Sequence, residues 1–162
     1  MLIISEIVSS KLKYFLSIIG ISLTSYYLYR KRKRKIFVSY HSKKEAKYKN
    51  ILKAWQKNSN FDLDFHDKSV GISINTNNES RIKAGITKKL NESNLVLCIV
   101  GKETHKRPMV NWELQKAKEL QKKILIVKTN SKYKSPTCLL NSNFIILNSF
   151  KKEEIIKEIY KS

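Results

Sequence analysis

The residues that most often carry chemistry are sparse in this 162-residue chain, and their spacing narrows the choice. Three histidines, His41, His66 and His105, fall in three different loops of the sequence pattern and belong to no pairing motif. A zinc site needs three or four converging ligands, usually announced by short Cys or His spacings. None is present, so no metal site is expected. Cys98 sits in the apolar run LVLCIV and reads as a core residue. With Cys138 it forms neither a metal signature nor a disulfide framework, which fits a reducing compartment. Gly20, Gly71, Gly85 and Gly101 cannot be assembled into GxGxxG or GxxxxGK[ST]. That argues against a Rossmann dehydrogenase and a P-loop NTPase. No GxSxG elbow is present either. No resident cofactor is expected.

What remains are polar residues that a fold would have to gather. From residue 36 onward, short apolar runs alternate with stretches of helical periodicity. Strands are predicted at 36–40 (IFVSY), around Phe61, Leu63 and Phe65, at 95–100 (LVLCIV), 124–127 and 144–147. Asp62 and Asp64 alternate with apolar positions, as on the exposed face of an edge strand. The unbroken run 95–100 has the character of a central strand buried on both faces. Helices are predicted at 43–58, with Tyr48, Ile51, Leu52 and Trp55 inward; at 79–90, capped by Asn78, with Ile82, Ile86 and Leu90 inward; at 109–121; and at 150–160. Loops are predicted at 71–78 and 101–108, and a long irregular connection at 130–143. Five β-α repeats predict an α/β fold: a flavodoxin-like three-layer sandwich around a five-stranded parallel sheet. Ligands of such folds bind beyond the carboxyl ends of the strands. The segments to examine are therefore 39–42, 66–69 with Asp67 and Ser69, 101–107, and 129 onward. Lys102, Lys106 and Arg107 stand in the third, either as a solvated loop or as attractors of an anion.

The first 35 residues have a different character. Residues 14–29, YFLSIIGISLTSYYLY, carry no charge. As a helix they span about 24 Å, against a hydrocarbon core of about 30 Å. Lys11, Lys13 and Arg30 can snorkel, and Tyr14, Tyr26, Tyr27 and Tyr29 suit an aromatic belt. A cleaved signal peptide would need a small-residue site after the apolar run, where RKRKRK stands instead. The expectation is a single-pass signal anchor over residues 1–35, including the basic run 30–35, followed by a domain at 36–162. Six cations after the span against two before it place that domain in the cytoplasm, at the cell membrane.

The formal net charge is +20 and 41% of residues are hydrophobic, so the chain can build a core. The charge has a local source in the run 30–35 and a diffuse one in Lys-rich composition, with abundant Ile, Asn and Ser, as in a chain from an AT-rich genome. Basic and aromatic residues do not interleave as in single-strand binders, so no specific nucleic-acid partner is expected.

Three segments carry a family resemblance: KIFVSYHSKKEAKYKNILKAW, FDLDFHDKSV and LCIVGKETHKRPMVNWELQKA. Together they cover most of residues 35–128, and the domain resembles the TIR-like family that includes ThsB of the bacterial Thoeris anti-phage system. The resemblance implies a flavodoxin-like fold. It also implies cleavage of the nicotinamide–ribose bond of NAD, as substrate, with cyclisation to a signalling nucleotide that a downstream effector protein would read. The family's catalytic glutamate corresponds to Glu113, in the first turn of its helix. Its first loop corresponds to Ser39, Tyr40 and His41. Asp67, Gly101, Lys102 and Trp112 complete the substrate-binding candidates.

One carboxylate is enough for such a reaction. Glycosidases usually use two, because their leaving group must be protonated. Nicotinamide departs as a neutral molecule from a cationic precursor, so a carboxylate need only stabilise the charge that develops on the ribose. Two plainer roles stand beside the catalytic ones: Glu113 as complement to a helix N-terminus, and Trp112 as a packing residue. The alternative function is a catalytically silent TIR-like scaffold, its self-association favoured by confinement to a membrane.

Overall fold

The computed structural model describes residues 12–14, 17, 33–41, 43–58, 62–67, 78–139 and 144–161. The chain divides into two units, Met1–Lys33 and Arg34–Ser162. In the first, residues 12–14 and 17 are helical, and the Ser17 hydroxyl donates to the Tyr14 carbonyl at 2.7 Å. Residues 1–11, 15, 16 and 18–32 of the expected anchor lie outside the described residues. Among the described residues no helix is long and apolar enough to cross a membrane.

The second unit contains β1 (Arg34–Ser39), α1 (Ala46–Asn58), β2 (Leu63–Asp67), α2 (Glu79–Glu92), β3 (Leu95–Val100), α3 (Pro108–Glu119), β4 (Lys123–Lys128), β5 (Phe144–Leu147) and α4 (Lys152–Tyr160). The strands form one parallel sheet in the order β2-β1-β3-β4-β5. Its two faces follow from the two-residue period of a strand. Ile36, Val38, Leu97, Ile99, Leu125 and Val127 pack with Leu52 of α1 and Ile155, Ile156 and Ile159 of α4. Phe37, Val96, Cys98, Val100, Ile124 and Ile126 pack with Ile86 and Leu90 of α2 and Val110, Leu114 and Ala117 of α3. These are the three layers read from the sequence, and every residue of β3 is buried. Asn78 caps α2 as expected, its Oδ1 accepting from the Arg81 amide at 3.2 Å.

Several boundaries and contacts differ from the sequence reading. Arg34 and Lys35 belong to β1, not to a basic tether. Arg34 Nη1 donates to the Ile159 carbonyl at 2.7 Å and its guanidinium lies 5.4 Å from the Tyr160 ring centroid, so it complements the C-terminal end of α4. Ile51 is 39% exposed, because the buried stripe of α1 is narrow and centres on Leu52, with Tyr48 and Trp55 packed at a tilt against Phe150. Asp64 is half-buried on edge strand β2 and accepts from Gln56 Nε2 at 3.2 Å, while Gln56 Oε1 takes the Phe65 amide at 3.0 Å. Gln56 thereby satisfies an edge amide that would otherwise be open to pairing. The connection before β5 includes a short 3-10 turn, Thr137–Leu139.

His66 and His105 are not loop residues. His105 lies in a 3-10 turn, Thr104–Lys106. His66 lies within β2, where Nε2 is 2.8 Å from Ser93 Oγ and the ring meets Phe37 edge-on at 6.2 Å. The Ser93 hydroxyl donates to the Lys89 carbonyl at 2.6 Å, so its oxygen accepts from His66 and Nε2 carries the proton. Burial holds the His66 pKa below its ordinary value.

Candidate active site

Consecutive strands β1 and β2 are neighbours, but the next strand, β3, pairs on the other side of β1. The topological switch point therefore lies between β1 and β3, and the carboxyl ends of these two strands are where a ligand is expected. Ser39 closes β1 in register with Cys98 of β3. Both are fully buried, on the α2/α3 face.

Over that face lies α3, which starts with Pro108, a residue whose fixed φ suits a first helical position. Glu113 is the sixth residue of α3, so it occupies the second turn and not the first; the first turn holds no acid. Its side chain is completely buried, and the Ser39 hydroxyl donates to Oε2 at 2.5 Å. That distance is at the short end of the range for an O–H···O hydrogen bond. The helix-terminus role for Glu113 is thus set aside, since the carboxyl is directed at the end of β1. Beneath it, burial pushes the Cys98 thiol well above its ordinary pKa, with Glu113, Cys138 and Glu45 adding to the effect, so Cys98 is a neutral thiol.

The other face holds a second buried acid. Glu45 stands at the bend before α1, 3% exposed. Its amide donates to the His41 carbonyl at 3.0 Å. Its carboxyl receives hydrogen bonds from the His41 main chain and the Thr104 side chain. Thr104 is itself fully buried, and its Oγ1 accepts from the Gly101 amide at 2.8 Å. Gly101 follows Val100, which faces α2 and α3, so it presents the opposite side, and Glu45 Oε1 occupies the place a side chain at 101 would need. Only glycine permits that approach. Desolvation raises the Glu45 pKa, against the lowering effects of these hydrogen bonds and of Arg107 and Lys44.

The remaining candidates separate. His41 is near the site, its Nδ1 3.8 Å from Glu45 Oε2. Tyr40, directly after β1, packs in the core on the α1/α4 face. Trp112 lies partly buried in the α2/α3 layer, with Lys83 Nζ 5.4 Å from its ring centroid. Lys102 and Lys106 are exposed. Arg107 is held by Glu103, at 3.0 Å, and Lys44 reaches the same carboxylate at 2.9 Å. The hydrogen bond from Lys44 leads in holding the Glu103 pKa below its ordinary value. Asp67 ends β2 in register with Val38; its side chain lies outside the described residues, as does Ser69. Among the described residues no three His, Cys, Asp or Glu side chains gather as metal ligands.

Glu45 and Thr104 are the residues that sequence reasoning passed over. The available signal was a lone acid in the Lys-rich turn directly after β1, and a threonine three residues after Gly101.

Residues 37–134 match the family model described as Thoeris protein ThsB, TIR-like domain. The chain belongs to this ThsB TIR-like family. No curated protein matches it in sequence. Among solved structures it is similar to the TIR domain of the Toll-related receptor TRR-2 of Hydra magnipapillata, with a TM-score of 0.54 and 8% identity over 78% of this chain and 91% of that one. It is also similar to a 2-deoxyribosyltransferase of Bacillus psychrosaccharolyticus, with a TM-score of 0.55 and 12% identity over 75% and 89%. A third is the CMP N-glycosidase BcmB of Clostridium botulinum, with a TM-score of 0.51 and 17% identity over 78% and 99%. At these identities the likeness is one of fold. In this ThsB-like chain the matched segment runs from within β1 past β4 and includes Ser39, Glu45, Gly101 and Glu113.

Proposed function

We propose that this ThsB-like domain cleaves the nicotinamide–ribose bond of NAD and passes the ADP-ribosyl group to an acceptor, giving an ADP-ribose-type signal in anti-phage defence. The observation that carries the reading is the buried Glu113 carboxyl, bonded by Ser39 at the switch point of the sheet. As the C–N bond breaks, its electron pair leaves with nicotinamide, which departs neutral. Positive charge grows on the ribose, and a preorganised carboxylate in a dry setting stabilises it strongly. Ser39 keeps that carboxylate from rotating. The fold shared with a deoxyribosyltransferase and a CMP N-glycosidase is consistent with chemistry at a glycosidic carbon.

Anchoring belongs to the same reading. The uncharged residues 14–29, followed by Arg30, Lys31, Arg32 and Lys33, would hold the domain at the cytoplasmic face of the cell membrane. Self-association there, and a separate effector that binds the nucleotide product, would complete the signalling unit. The test is nicotinamide release by the full chain, wild type beside Glu113→Gln. Release by both at one rate would rule the enzyme reading out.

A further inference from the structure

The site holds two buried carboxyls, and one is surplus to a reaction whose leaving group is already neutral. Glu113 lies on the α2/α3 side of the β1–β3 switch point, bonded to Ser39. Glu45 lies on the other side, in the space that Gly101 leaves open. Both carboxyls accept hydrogen bonds, Glu113 from the Ser39 hydroxyl and Glu45 from the His41 main chain and the Thr104 side chain. At Glu45, Oε2 is buried and accepts no hydrogen bond from any described residue, with His41 Nδ1 facing it at 3.8 Å. A buried acceptor left in this state is costly as a neutral group and costlier when charged. That favours the protonated carboxyl, in agreement with the raised pKa that burial produces.

We propose that Glu45 is a proton donor to the leaving group, and that the site also takes N-glycosides of neutral bases, such as pyrimidine and hypoxanthine nucleosides and nucleotides. This rests on the reading of Glu113 given above. In these substrates the base would leave as an anion unless protonated. The Glu45 carboxyl gives its proton to the base as the C1′–N bond breaks and the electron pair moves onto that base. Water then attacks C1′ and returns a proton to the Glu45 carboxylate, so sugar and protonated base are the products. His41, Lys44, Arg107 and the neutral Cys98 thiol are the other charged or titratable groups set about Glu45. The arrangement is the division of labour of paired carboxyls in glycosidases, one acid and one charge stabiliser.

The experiment measures base release by the purified full chain from NAD, uridine 5′-monophosphate, inosine and p-nitrophenyl riboside, for wild type, Glu45→Gln, Glu45→Asp and Glu113→Gln. Thermal midpoints check folding. General acid catalysis contributes about 100-fold or more. Glu45→Gln is therefore expected to lose at least about 100-fold more on uridine monophosphate and inosine than on NAD or the nitrophenyl riboside. Glu45→Asp should fall between. Glu113→Gln should lose activity on all four. Equal losses by Glu45→Gln on every substrate would overturn the proposal and make Glu45 a structural clamp of the two loops. No release from the neutral-base substrates by the wild type would overturn it as well, whatever happens with NAD. Release from those substrates without release from NAD would keep it and contradict the NAD reading instead.

Discussion

The two faces of the sheet meet the same problem at the carboxyl ends of β1 and β3, a glutamate taken out of water, and solve it differently. On the α2/α3 face, Glu113 projects from the second turn of a regular helix and is fixed by one hydroxyl, Ser39. On the α1/α4 face, Glu45 sits in a bend and is fixed by loop atoms, with a glycine yielding the room it needs. A carboxyl on a helix is placed by packing of its whole element, and a carboxyl in a bend by a few local bonds. The first arrangement should tolerate loss of its charge without loss of structure. The second should be sensitive to small changes of shape.

The largest expected effect is at Glu113. Glu113→Gln keeps the shape and the Ser39 contact and removes the charge, so nicotinamide release should fall about 100- to 1,000-fold, with the thermal midpoint held or raised. Second is Gly101→Ala, whose added methyl displaces the Glu45 carboxyl. Overpacking of this kind costs about 1–3 kcal/mol, read as a lowered urea midpoint at unchanged slope. If Gly101→Ala proved neutral, the tight fit on the α1/α4 face would be wrong. Third is Ser39→Ala, which leaves the buried Glu113 oxygen without its hydroxyl. A loss of about 1–3 kcal/mol is expected, together with reduced turnover.

The pH dependence distinguishes the faces further. A carboxyl whose pKa is raised on folding binds a proton in the native state that the unfolded chain has already lost. Its contribution is present below the ordinary carboxylate value of 4.5 and fades as pH rises through the raised value. Glu45→Gln should therefore gain stability relative to wild type as pH increases above about 4.5, seen in paired urea titrations across pH. A constant difference across pH would remove burial as the cause. The smallest effect is at the surface: Lys116→Ala, which breaks the exposed pair with Glu119, should change stability by less than about 0.5 kcal/mol.

Much of this was legible from residue order, for reasons that differ by element. β3 announces itself because six apolar residues in a row suit only a strand covered on both sides. The Asn78 cap and the Phe144–Leu147 strand follow from local chemistry. Glu113 was found through a motif, but its burial was not, since that depends on where α3 starts: at Pro108, one residue earlier than the periodicity suggests. Arg34 and Lys35 were misread because a run of six cations hides the first two residues of a strand whose charged groups find partners elsewhere, such as the end of α4. Tyr40 could not be assigned to a face while both faces of β1 were apolar. Glu45 was invisible for a deeper reason. Its burial depends on Gly101, 56 positions away, lacking a side chain on one particular side of the sheet.

The most direct test is nicotinamide release from NAD by the full chain, wild type beside Glu113→Gln, both shown to be folded by their thermal midpoints. The account predicts release by the wild type and a loss of at least about 100-fold in the variant. Release at equal rates would contradict it, because the buried carboxyl at the switch point would then have no part in the chemistry.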